Sequence, residues 1–232
     1  MRVAVRIAWT MVTFFVVEAL VCGAAALPVV LLWTRVVMRI ESSMARLAAA
    51  ALAMAPSYIL FALCLMPASA LATRALGWKT PADASLPIAR LDWPLLSWAR
   101  ALAAAHIVRL FSGTLFRASP IWTAYLRLNG ARIGRRVYVN SLAVSDHNLL
   151  EFGDDVVIGA DAHISGHTVE GGMLKTGTVR LGSNVTIGIG AIVDIGVTVP
   201  SGCQIGALSL VPKHVTLEAG GVYAGVPVHR LK

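Results

Sequence analysis

Two short stretches in the second half of the chain hold side chains that could move a proton: Asp146 with His147, then His163 with His167, and Glu170 just beyond. An imidazole that is neutral near pH 7 can take a proton from a hydroxyl or amine and return it to a leaving group, and a neighbouring carboxylate can fix its tautomer. His167 is the candidate general base, and Asp146 and His147 are the catalytic candidates at its side. No nucleophilic serine or cysteine motif accompanies them. A histidine at a turn also has a plainer use, binding a backbone carbonyl. Three imidazoles in one region suit zinc as well.

The elements that would position these groups are written in a six-residue count. Leu181, Ile187, Val193, Val199, Ile205 and Val211 are apolar at a fixed spacing, and turn residues such as Gly182, Gly188, Pro200, Gly206 and Pro212 follow them. A helix repeats every three to four residues and a half-buried strand every two, so this count predicts a parallel β-helix whose coils stack around one core. Upstream, Ile133 and Val139 keep the period, as do Phe152, Ile158 and Ile164. The registers do not join: the step from Val139 to Phe152 is one more than two hexads, and that from Ile164 to Leu181 is one short of three. Insertions in a stacked repeat are pushed outward as loops, often on a binding face. The first break holds Asp146 and His147, and the second holds His167 and Glu170. With three hexads per coil, residues about 18 apart stack, which places these groups on one edge. Segment 165–172, with glycines on both sides of His167, is expected to be a mobile loop.

The first half is of another kind. Apolar residues make up 57% of the 232, and residues 7–34 and 47–73 are each long enough to cross a hydrocarbon core, which needs about 20 residues. Only Glu18 interrupts the first run. Residues 1–136 hold 15 Lys and Arg against 4 Asp and Glu, a net of +11, and the remainder holds 5 against 8, a net of −3. Basic residues flanking lipid-embedded segments explain this excess without nucleic acid, and their count favours both termini in the cytoplasm. Residues 94–128 join the halves; Arg100, His106 and Arg109 interrupt their apolar run, so an interfacial helix is expected, with Trp98 and Trp122 at the headgroups. A cap packed on the β-helix is the other reading of this segment. Cys22, Cys64 and Cys203 read as small buried apolar residues.

The stretch from Phe152 to His167, the hexads from Leu181 to Val215 and the ending Ala224-Gly225-Val226-Pro227 resemble the hexapeptide-repeat acyltransferases. A further likeness runs through Gly113-Thr114-Leu115-Phe116, Gly130-Ala131-Arg132-Ile133-Gly134 and Asp146-His147. It is to the membrane-linked terminal region of nonribosomal peptide synthetases of the ε-poly-lysine synthase type. The resemblance implies a left-handed helix, a homotrimer and direct acyl transfer from a thioester donor such as acetyl-CoA, with His167 deprotonating the acceptor and Asp146 orienting the base or binding the acceptor. It also implies a pantetheine arm along Gly188, Gly190 and Ala207, with phosphates met by Lys213 and Arg230. No metal is expected.

The expected architecture is a membrane α-helical hairpin (1–92), interfacial amphipathic helices (93–130) and a single-stranded left-handed parallel β-helix (131–232). Its expected setting is the inner membrane, multi-pass, with the β-helix in the cytoplasm. Lipid is then a partner, and the acceptor a hydroxyl or amine of an envelope glycan, lipid-linked or peptidyl product. Two rivals stand beside this reading: a catalytically silent trimeric membrane scaffold, and a zinc-dependent β-helix of carbonic-anhydrase type. The four-residue spacing of His163 and His167 speaks against the second.

Overall fold

The chain is described by a computed structural model over residues 2–232. Its first half is a hairpin of two long helices, α1 (Arg2–Arg35) and α2 (Ser43–Ala75), and Ser42 caps the second by accepting from the Ala45 N–H at 3.4 Å. Trp33 donates to Ser57 Oγ at 2.8 Å and ties the two together. Large apolar side chains face outward along both, among them Phe15, Leu20 and Leu52 at 61, 69 and 79% exposure. Glu18, the one acidic residue of α1, turns inward instead. Both helices are long and apolar enough to cross a membrane.

Helix α3 (Trp93–Val108) follows and runs into a π-helical segment, Arg109–Gly113, and a short turn, Thr114–Phe116. Helix α4 (Pro120–Leu128) starts at Ser119, whose side chain accepts from the Trp122 N–H. Its apolar face carries Trp122, Tyr125 and Leu126, all essentially buried, into the core shared with the β-helix. Trp122 is therefore not at a headgroup level: it is fully buried, with its indole N–H on the Ser141 carbonyl at 3.2 Å. The segment acts at this point as the cap of the solenoid, since an amphipathic helix one face wide can close an otherwise open apolar end.

From Arg132 onward, two- and three-residue strands stack into three parallel ladders. Thr186 pairs with Gln204 and Gln204 with Val222, so each strand lies on the one three hexads further along, and three hexads do make one coil. The inward residues Ile158, Ile187, Val193 and Val199 have no exposure. Each coil turns through a corner residue in the left-handed backbone region, and from Asn184 to Gly220 these recur at every hexad. Both register breaks take definite form. Arg132 pairs with Glu151, one position beyond three hexads, so the first break is a single insertion. Val157 pairs with Thr186, eleven positions beyond three hexads, so the second break is much the larger.

Candidate active site

The extra residues of the second break form a β-hairpin rather than a mobile loop. His167–Glu170 pairs antiparallel with Met173–Thr176, and Gly171 and Gly172 both have positive φ at the turn. Two successive left-handed residues match the twist of a two-residue hairpin, and glycine adopts them without a steric penalty. Ser85–Pro87, from the linker after α2, adds a third strand on the far side of Met173–Thr176. The fold thus holds His167 in a ladder, which corrects the expected mobile loop: alternating extended residues around a Gly-Gly turn pair with each other.

His167 and Asp146 meet. The imidazole Nδ1 lies 2.5 Å from Asp146 Oδ2, so Nδ1–H donates to the carboxylate and Nε2 is left with a lone pair for an incoming acid. Asp146 is almost fully enclosed, its side chain 1% exposed against 20% for His167. Burying a bare carboxylate costs several kcal/mol, and three more donors offset that cost. Thr80 Oγ1 donates to Oδ1 at 2.8 Å; Ser145 Oγ and the Gly166 N–H donate to Oδ2 at 2.9 and 3.1 Å. Burial pushes the Asp146 carboxyl up, but the bond and charge of His167, with the Thr80 and Ser145 hydroxyls, outweigh it and hold it below the usual carboxylate value. Asp146 itself sits at φ 55, ψ 51, a left-handed conformation that aspartate tolerates better than most residues and that strained functional positions often use.

Other neighbours were not legible in the sequence. Trp98 of α3 packs edge-on against His167, ring centroids 5.1 Å apart, and shields one side of the base. Arg109 donates to the Val144 carbonyl at 2.6 Å, just before the Ser145–Asp146 pair. Ser165 Oγ donates to the His167 carbonyl at 2.8 Å and accepts from the His167 N–H at 3.2 Å. Thr80 is far from Asp146 in the chain, and nothing local announces that distant partner.

Three groups expected at the site have other duties. His147 is buried, its Nε2 on the Val144 carbonyl at 3.1 Å and its ring edge-on to Tyr125, which gives it a packing role in place of a catalytic one. Burial first, then the Arg109 charge, push its pKa down to about 4. Lys213 pairs with Glu170, which also binds Lys175 at 2.7 Å, and Arg230 pairs with Glu218. Neither base is held free for a phosphate. Gly188 and Gly190 are explained by the solenoid: a Cβ on Gly188 would lie 2.5 Å from the Ala207 N, and Gly190 is a corner residue with φ +63. Ala207 is exposed. His163 lies on the strand before the hairpin; partial desolvation first, then the His167 charge, lower its proton affinity. Among the described residues no group of three or more His, Cys, Asp and Glu is placed to hold a metal.

The state of His147 makes folding pH-sensitive. Its pKa is 6.5 unfolded and about 4 folded. Stability is therefore full above pH 6.5 and is lost as pH falls through that window toward 4, by on the order of 3 kcal/mol at about 1.36 kcal/mol per pKa unit. Thermal unfolding of the detergent-solubilised chain above and below that window checks this. His147→Gln is expected to be less stable at neutral pH and to lose less on acidification; an equal pH loss in both proteins would remove His147 as the cause.

No family model matches the chain. Over 111 residues, 48% of its length, it is 26% identical to delta-poly-L-ornithine synthetase of Acinetobacter baumannii, of which it covers 8%. Over 116 residues, 47% of its length, it is 33% identical to galactoside O-acetyltransferase of Escherichia coli, of which it covers 55%. The repeat half resembles the hexapeptide-repeat acetyltransferases. The chain spans about half the length of one relative and a small part of the other. Among solved structures, galactoside acetyltransferase in complex with coenzyme A superposes with a TM-score of 0.44 at 20% identity, over 58% of this chain and 80% of that one.

Proposed function

We propose that this chain is a membrane-anchored acyltransferase that moves an acyl group, acetyl in the first instance, from a thioester such as acetyl-CoA to a hydroxyl or amine. The observation that carries the reading is the His167–Asp146 pair at the second register break, with Nδ1 engaged and Nε2 free. The acceptor O–H or N–H gives its proton to Nε2 as its heteroatom attacks the thioester carbonyl. The tetrahedral intermediate then collapses, the C–S bond breaks, and the imidazolium returns the proton to the departing thiolate. Asp146 stabilises the imidazolium and holds the tautomer, the part a buried carboxylate plays in other histidine-based sites. We assign the oxyanion to backbone N–H groups rather than to a dedicated side chain.

Membrane attachment rests on α1 and α2, whose outward faces are apolar over their length. An anchored enzyme has its acceptor near a bilayer, which favours an envelope glycan, a lipid-linked intermediate or a peptidyl product. We place the repeat half in the cytoplasm, where acyl-CoA is made, as a left-handed coil assembled into a homotrimer of the kind the resemblance implies. Arg230 and Lys213 would then reach donor phosphates only by leaving Glu218 and Glu170. Mass spectrometry of envelope lipids, polysaccharides and peptidyl polymers from cells with and without the gene tests the reading. Loss of one acylated species on deletion is expected, and an unchanged profile counts against it.

A further inference from the structure

A cavity of about 300 Å³ lies where the end of α2 and the following linker meet α3 and residues 129–130 after α4. That volume is at the lower end of the range for small-molecule sites. Asp146 forms part of its wall and His167 does not, so the cavity adjoins the dyad from the Thr80 side. Most of its polar lining is already used. Asn148 accepts from the Thr80 N–H at 3.1 Å and donates to the Thr80 carbonyl at 2.9 Å, while Asn129 donates to the Tyr125 carbonyl at 3.0 Å. Asp146 is filled by its four donors.

Two cations are not used up. Neither Arg74 nor Lys79 is in an ion pair among the described residues. Arg74 spends one N–H on the Leu128 carbonyl at 3.3 Å, and the Lys79 ammonium makes no hydrogen bond among the described residues. The negative end of the α2 dipole offsets about half a charge and the ionised Asp146 in the wall offsets one more, so the net positive charge is small and sits at the Arg74 and Lys79 side chains. Trp78 and Leu102 supply apolar wall. Arg74 stands in the last turn of α2, directly after its long apolar run, so the opening is at the level where a bilayer would end.

We propose that this cavity binds the phosphate of a lipid headgroup, with the phosphate between Arg74 and Lys79 and the apolar stem along Trp78 and Leu102. Free inorganic phosphate shares the headgroup chemistry. The site does not depend on the acyl-transfer reading, and through Thr80 its occupant is one hydrogen bond from Asp146.

The test is equilibrium binding of radiolabelled dioleoyl phosphatidic acid to the full chain in neutral-detergent micelles, competed with inorganic phosphate. Saturable binding is expected, weakened at least about tenfold by Lys79→Gln and further by Arg74→Gln/Lys79→Gln, at one phosphate-contact charge each. Lys79 is exposed, which makes its single variant a safe guard against misfolding. Arg74→Lys/Lys79→Arg keeps the charge and is expected to keep most of the binding. Arg35→Gln/Arg39→Gln, at the other end of the hairpin, is expected to leave it unchanged. Displacement by millimolar phosphate assigns the site to soluble phosphate and overturns the lipid assignment, whereas resistance to it supports the lipid. Binding insensitive to Arg74 and Lys79, or lowered equally by the Arg35/Arg39 change, overturns the proposal.

Discussion

Replacing His167 by alanine is expected to lower the turnover of acyl transfer by a factor on the order of 10³, the middle of the range for a lost general base, with little change in the KM for the thioester. The side chain is 20% exposed and held by one charged bond, so its loss leaves the hairpin ladder intact. His167→Gln keeps much of the shape and is expected to be as inactive, which separates proton transfer from packing. Asp146→Asn should cost less turnover than His167→Ala but more stability. Its NH2 would replace either the oxygen that accepts from Thr80 or the one that accepts from Ser145, Gly166 and His167, so at least one buried donor would lose its acceptor. Steady-state kinetics and thermal unfolding of the variants side by side check both halves of this expectation. Equal turnover in wild type and His167→Ala would remove His167 from the chemistry.

Gly188→Ala is the second large effect, and it falls on folding. The added Cβ would stand 2.5 Å from the Ala207 N and 2.6 Å from the Gly206 C, both backbone atoms of the next coil. Backbone in a stacked solenoid cannot swing away as a flexible side chain would, so the coils must separate locally. Overpacking of a close-packed interior costs about 1–3 kcal/mol, and the upper end applies where the obstacle is main chain. A fall in Tm of about 5–10 °C is expected, at about 2–4 °C per kcal/mol for a chain of this size. Gly23→Ala in α1 is the control, since no atom lies within 4 Å of its would-be Cβ. If Gly188 served only to admit a pantetheine arm, Gly188→Ala would bind donor poorly with Tm unchanged.

The solenoid was legible because its physics is periodic. Ile187, Val193 and Val199 each fill the same slot of successive sides, and the stacking of one coil on the next follows from counting three slots per turn. The breaks were legible as failures of that count, and they led to Asp146 and His167. What the count could not show was the shape of the larger insertion, which reads as a loop until its pairing across Gly171-Gly172 is seen. Nor could it show partners brought by tertiary packing. Thr80 and Trp98 belong to segments whose own patterns speak of linker and amphipathic helix, and only the docking of the helical half against the coils puts them beside the dyad. His147 departs from its expected role for a related reason: adjacency to Asp146 in sequence does not bring its side chain to the base, because the left-handed turn at Asp146 sends it into the Tyr125 cluster. Trp122 departs from its expected place because an amphipathic helix looks the same whether its apolar face meets lipid or a protein core.

Acylation through His167 is tested most directly in cells, by mass spectrometry of envelope lipids, polysaccharides and peptidyl polymers from three strains. One carries the wild-type gene, one lacks it, and one carries His167→Ala at equal protein level. The predicted result is an acylated species present in the first strain and missing from both others. The same species at full level in the His167→Ala strain, or identical profiles in all three, would contradict it.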